Sequence, residues 1–129
     1  MNELTVEWVA KAEGDYATAG RELQVDDRPN YDAVCFHAQQ TAEKYMKAFL
    51  QENNTAFPKT HSLIELLELS LPLDDALEHL RPVLVRLGRY AVRYRYPGET
   101  ASKSEAQMAY KAATTVRVIF HARLTSEED

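Results

Sequence analysis

Apolar residues recur every three or four positions along nearly the whole chain and nowhere settle into alternation, so the pattern predicts helices and no strands. Trp8, Ala12, Asp15 or Tyr16, Ala19 and Leu23 mark an amphipathic helix from Leu4 to about Leu23. The turn-forming stretch VDDRPNYD follows, with Asn30 placed to cap a second helix. That helix is expected from about Tyr31 to Gln51, with Tyr31, Cys35, Ala38, Ala42, Tyr45 and Phe49 inward and ENNTAFP ending it. Its opposite side carries His37, Gln40, Lys44, Lys47 and Gln51 at steps of three and four, a continuous polar row that reads as a solvated face.

Thr60 or Ser62 is positioned to cap a short third helix, and Ser62 with Glu65 has the spacing of a capping box. Leu63, Leu66, Leu67 and Ile64 make that helix a buried one. A fourth helical pattern runs from LPLDDALEHL to about Tyr94, with Leu84, Leu87 and Ala91 on its inner side. Pro82 lies within it, where the missing donor and the ring clash predict a kink or a break into two helices. After the loop YPGETASKS, a fifth helix is expected from Ser102 or Ser104 to Leu124, facing inward with Ala109, Ala112, Val116, Ile119 or Phe120, and Arg123. Short connections favour antiparallel neighbours, so the expected fold is all-α, an up-and-down bundle of four to five antiparallel helices. A chain of 129 residues supports one core, giving a single domain over 1–129 with residues 125–129 as a frayed acidic tail.

Composition adds little to that outline except by exclusion. No long apolar run interrupts the early acids Glu3, Glu7, Glu13 and Asp15, so neither a secretory signal nor a membrane span is expected, and a cytoplasmic location follows by default. The lone Cys35 has no disulfide partner in the chain and sits among apolar neighbours as a core residue.

Charge changes the picture more. The net charge is −5, yet the segment from Arg81 to Tyr96 holds five arginines and no acid, which leaves −10 on the remainder. Segregation of this kind points to a specific anionic partner. Arg86, Arg89 and Arg93 share one helical face, and Tyr90, Tyr94 and Tyr96 are interleaved with them. Paired guanidinium donors suit phosphate and tyrosine rings stack on bases, the equipment of a nucleotide or single-stranded RNA site. Pairing of the same arginines with acids of neighbouring helices, or across a dimer interface, is the equally weighted alternative. The histidines at 37, 61, 79 and 121 lack metal-ligand spacing, and there is no Glu-x-x-His pair, glycine-rich phosphate loop or nucleophile elbow. No metal or cofactor is therefore expected.

Three runs in order, FHAQQTAEKYMKAFL, FPKTHSLIELL and YRYPG, together with an amino-terminal WVAKAEGDYATA, resemble the small prokaryotic HEPN family over nearly the whole chain. The resemblance implies a four- to five-helix bundle, often a homodimer, frequently paired with a minimal nucleotidyltransferase and sometimes forming a toxin–antitoxin pair with it. Active members are metal-independent ribonucleases with an arginine, four to six intervening residues and a histidine. Here Arg117 and His121 are separated by three residues, and Arg93, Arg95, Tyr96 and Pro97 match the non-catalytic-looking members instead.

On this basis the polar row of helix two, His37, Gln40, Lys44 and Lys47, is expected to face Arg89, Arg93, Arg95 and Tyr96 across an anion-binding groove with His61 at its edge. Alternatively the glutamines clasp the KTHS and RYPG turns to the bundle. The expected function is a nucleotide- or RNA-phosphate-binding regulatory module that acts with a nucleotidyltransferase partner. Two alternatives stand beside it: a metal-independent endoribonuclease toxin using Arg117 and His121, and a purely structural dimerisation module.

Overall fold

A computed structural model describes residues 1–125, the side chain of Ala91 excepted; Ala91, expected on an inner face, and the tail at 126–129 lie outside the described residues. Five α-helices follow one another: α1 (Glu3–Leu23), α2 (Tyr31–Glu52), α3 (Leu63–Ser70), α4 (Arg81–Arg93) and α5 (Lys103–Thr125), with a 3₁₀ turn over Asp75–Leu80 before α4. No strand occurs among the described residues.

Local chemistry sets the starts of these helices. Asn2 and Asn30 each accept a backbone hydrogen bond from the third residue beyond, capping α1 and α2. Ser62 Oγ accepts from the Glu65 amide at 3.2 Å, as the capping-box spacing predicted. The return limb differs, because Glu65 accepts from the Thr60 hydroxyl at 2.8 Å and Thr60 in turn accepts the Ser62 amide at 3.0 Å. Both candidate caps of α3 are thus used. Pro82 produces the break rather than the kink. It lies in the first turn of α4, where its missing N–H costs nothing, and the preceding stretch tightens into the 3₁₀ turn.

The contacts between helices fix their directions. Asn2 meets Glu52 while Asp15 meets His37, so α1 and α2 are antiparallel. Glu13 meets Arg117 and Gly20 approaches Tyr110, so α1 and α5 are antiparallel as well. The end of α4 lies beside the start of α2. Together α1, α2, α4 and α5 form an up-and-down bundle, with the short α3 packed against α2 and α4.

Helix α2 is the axis of the molecule, packed against each of α1, α3, α4 and α5. Alanines at 12, 19, 38, 42, 109 and 113 are fully buried and let the three long helices approach closely. Tyr45, Met46, Leu50, Leu66, Leu67, Leu84 and Leu87 fill the space around them, and Phe49 meets Phe120 edge to face at 5.4 Å. The solvated face expected for α2 is the main correction. Lys47 is buried, and so are Gln39, Thr41 and Glu43, because four neighbouring helices leave α2 almost no free side.

Phe120→Ala is expected to lower stability by about 3–5 kcal/mol, read by urea denaturation, since it empties a fully enclosed ring site on two helices at once.

Candidate functional site

The residues expected to share one groove are distributed by the fold over three separate groups. The first lies on the outer side of α1 and α2. Asp15 accepts from His37 Nδ1 at 2.7 Å and from Lys44 Nζ at 2.5 Å, so two members of the polar row are tied to α1. Asp15 supplies the carboxylate that neutralises Lys44 there.

The second group joins α2 to the loop before α3, and its centre is Glu43, whose side chain is 3 % exposed. Lys47 Nζ donates to it at 3.1 Å, Gln39 and Gln40 each donate at 3.3 Å, and His61 Nδ1 lies 3.1 Å away. Gln39 directs its second amide proton to the His61 carbonyl at 3.1 Å, and its own oxygen accepts from Gln40 at 2.8 Å. The Lys47 ammonium also lies 5.4 Å over the Trp8 ring. A clasp onto the KTHS turn therefore exists, but Gln39 makes it rather than Gln40. Gln40 supports Gln39 and Glu43 from behind.

The third group is the end of α4 and the loop after it. Arg93 donates to Glu99 at 3.2 Å and to Glu105 at 3.4 Å, and its guanidinium lies 5.5 Å over the Tyr94 ring. Those bonds, Glu99 first, raise its pKa further. Tyr94 is buried and its hydroxyl donates to Glu105, so burial and then that carboxylate push the phenol pKa up, while the same bond lowers that of Glu105. Glu105 further closes a reciprocal capping box with Ser102, each amide donating to the other side chain at 3.0 Å. Asp32 Oδ1 accepts from the Ala101 amide at 2.7 Å, and Gly98 turns the chain at φ 93°.

Arg86, Arg89 and Arg95 contrast with Arg93. All three are exposed, and none forms an ion pair among the described residues. Tyr96 is exposed beside them and Tyr90 is half-buried, its ring 6.4 Å from Tyr94 and nearly parallel to it. Between the start of α2 and the end of α4 runs a shallow groove of about 350 Å³ lined by Asp32, Phe36, Tyr90 and Arg95. Of the residues expected to share a groove, only Arg95 lines this one, while Arg89, Arg93 and Tyr96 lie outside its lining and Gln40 belongs to the Glu43 group. His37, Lys44, Lys47 and His61 serve the other two groups.

Arg117 and His121 sit one turn apart on α5 and border a common depression. One guanidinium edge of Arg117, Nε and Nη2, donates to Glu13 at 2.7 and 2.8 Å, and its flat face covers Tyr16 at 4.6 Å. The Arg117 bond holds the Glu13 carboxyl below its ordinary pKa. Tyr45 lies within electrostatic reach of this pair with a fully buried hydroxyl, and burial, then Glu13, push its pKa up to about 12. Among the described residues no group of three His, Cys, Asp or Glu side chains is placed to hold a metal ion, and no helix is long and apolar enough to cross a membrane.

Residues to which the sequence assigned no site role carry most of this geometry: Asp15, Gln39, Glu43, Glu99 and Glu105. Two spacings signalled the central one, since Gln39, Glu43 and Lys47 recur every fourth position on one helical face.

The HEPN domain family matches residues 5–122, and the chain belongs to that family. It resembles the crystal structure of TT1696 from Thermus thermophilus, with 27 % identity and a TM-score of 0.78 over 94 % of this chain and 98 % of that one. It also shares its fold with ST0689, an archaeal HEPN homologue, at 22 % identity and a TM-score of 0.72 over 95 % and 98 % of the two chains. No curated protein matches.

Glu43→Leu strands the Lys47 ammonium in a buried position and is expected to cost about 3–5 kcal/mol in urea denaturation. Adding Lys47→Met should restore most of that loss, because the pair is then replaced by apolar groups of similar size. A double variant no more stable than the single one would assign the cost to packing rather than to charge.

Proposed function

We propose that this HEPN domain is a regulatory module that recognises nucleotide or RNA phosphate through the arginine–tyrosine end of α4. The observation that carries the reading is the contrast within one segment. Arg86, Arg89 and Arg95 have no carboxylate partner among the described residues although twenty acids are present in the chain. In the same segment Arg81 and Arg93 each hold a carboxylate, as do Arg117 and Arg123 on α5, whereas the exposed side chain of Arg21 on α1 bonds only Thr18 among the described residues. Exposed guanidiniums left unneutralised beside aromatic rings favour a polyanion with stackable bases. The family resemblance of the YRYPG end supports a minimal nucleotidyltransferase as partner, in a toxin–antitoxin type of pair, with the domain acting as a homodimer.

Regulation of RNA by binding is favoured over cleavage by one feature of α5. Arg117 is paired through its Nε–Nη2 edge with Glu13, so a phosphate reaching His121 meets a guanidinium whose charge a carboxylate already balances. A purely structural dimer module has no comparable support in the unpaired arginines.

Arg89→Ala and Arg95→Ala are each expected to weaken binding of a single-stranded oligoribonucleotide roughly three- to tenfold and to reduce the slope of log affinity against log salt by about 0.7. Fluorescence anisotropy across a salt series measures both. Glu99→Gln frees Arg93 from an exposed ion pair and should tighten binding roughly two- to threefold. Unchanged affinity and slope in both arginine variants would sink the phosphate reading.

Incubation of the protein with mixed RNA in chelator should leave the RNA intact. Cleavage that Arg117→Ala and His121→Ala both abolish would promote the ribonuclease reading instead.

A further inference from the structure

The groove between α2 and α4 has features that phosphate recognition alone does not need. Phe36 is 41 % exposed on a helix that is otherwise buried nearly all round. An exposed phenylalanine loses apolar burial, and it lies on the same groove as the half-buried ring of Tyr90. The edge of His37 packs against Phe36 at 5.1 Å and 84°, and Tyr90 is stacked on Tyr94, so each groove ring has a neighbouring ring in its own contact. At about 350 Å³ the groove falls within the ~300–1,000 Å³ range of small-ligand sites.

Its polar groups are of two kinds. Arg95 contributes an exposed cation with no partner among the described residues. Asp32 contributes a half-buried carboxylate, and only its Oδ1 is engaged, by the Ala101 amide at 2.7 Å. Among the described residues Oδ2 has no donor. A carboxylate repels phosphate, so its presence on this groove conflicts with a ligand that is phosphate throughout. It suits a ligand whose other end offers N–H donors. Aromatic walls, an acceptor carboxylate and a guanidinium together match a nucleotide whose base bears an exocyclic amino group.

We propose that the α2–α4 groove is a nucleobase site. The base lies against Phe36 and Tyr90, its amino group donates to Asp32, and the 5′-phosphate meets Arg95. This deepens the phosphate reading above and rests on it. It adds a preference that the arginines cannot generate, because they contact every nucleotide phosphate alike.

Cytidine and uridine monophosphate separate the contributions, since the amino group and bare N3 of cytosine are a carbonyl and an N3–H in uracil, while sugar and phosphate are the same. Ribose 5-phosphate retains the phosphate and lacks the base. Isothermal titration of the protein with each is expected to rank cytidine monophosphate above ribose 5-phosphate by roughly tenfold from stacking. It should also rank above uridine monophosphate by roughly fivefold from the carboxylate hydrogen bond. Phe36→Ala should erase most of the first gap while leaving ribose 5-phosphate affinity as it was. Asp32→Asn keeps an acceptor for Ala101 and should erase the second gap. Equal affinity for all three compounds, or gaps that survive both substitutions, overturns the base site and leaves phosphate recognition standing. Binding of none of the three, together with no binding of the oligoribonucleotide, removes both.

Discussion

Enclosure of α2 by four other helices is the constraint from which the rest of the structure follows. A helix with a free side can leave its polar residues to water. One surrounded on all sides must supply each of them with an internal partner or lose several kcal/mol for every group left unpaired. Glu43 is the answer at the α3 end of α2, where one carboxylate collects Lys47, Gln39, Gln40 and His61. Asp15 does the same for His37 and Lys44. Thr41 and Ser70, both buried, return their hydroxyls to carbonyls one turn back.

That internal satisfaction divides the cations of the molecule into two populations. Lysines and arginines near the bundle axis or its seams are consumed by structure, each against a named carboxylate. Arginines on the outer face of α4 are not. The same residue type therefore has different standing a few positions apart in sequence, as Arg93 and Arg95 illustrate: one is held by Glu99 and Glu105, and the other has no partner among the described residues. Only the second kind meets an external phosphate with a charge that no carboxylate already balances.

The loop after α4 connects these two regimes. Glu105 caps α5, receives the Tyr94 hydroxyl and holds Arg93, while Asp32 at the start of α2 fastens Ala101. Four elements of the sequence thus meet within one turn of helix, and the groove beside them keeps its shape because its walls are pinned at both α2 and α5. Asp32 serves as structural tie through one oxygen and as groove lining through the rest of its carboxylate.

Periodicity, caps and the placement of Pro82 made the helices and their order legible in the sequence, because these depend on interactions within about four residues. The charge segregation of Arg81 to Tyr96 was equally plain. What could not be read was which side of α2 would meet which neighbour. His37, Gln40, Lys44 and Lys47 form one row on the helix, yet Asp15 of α1 takes two of them and Glu43 of α2 itself the others, and the share that α1 takes is decided by helix packing rather than by spacing. Glu43 illustrates the limit: its relation to Lys47 is local and visible, whereas its burial depends on α2 being covered on nearly every side, a property of the assembled bundle alone.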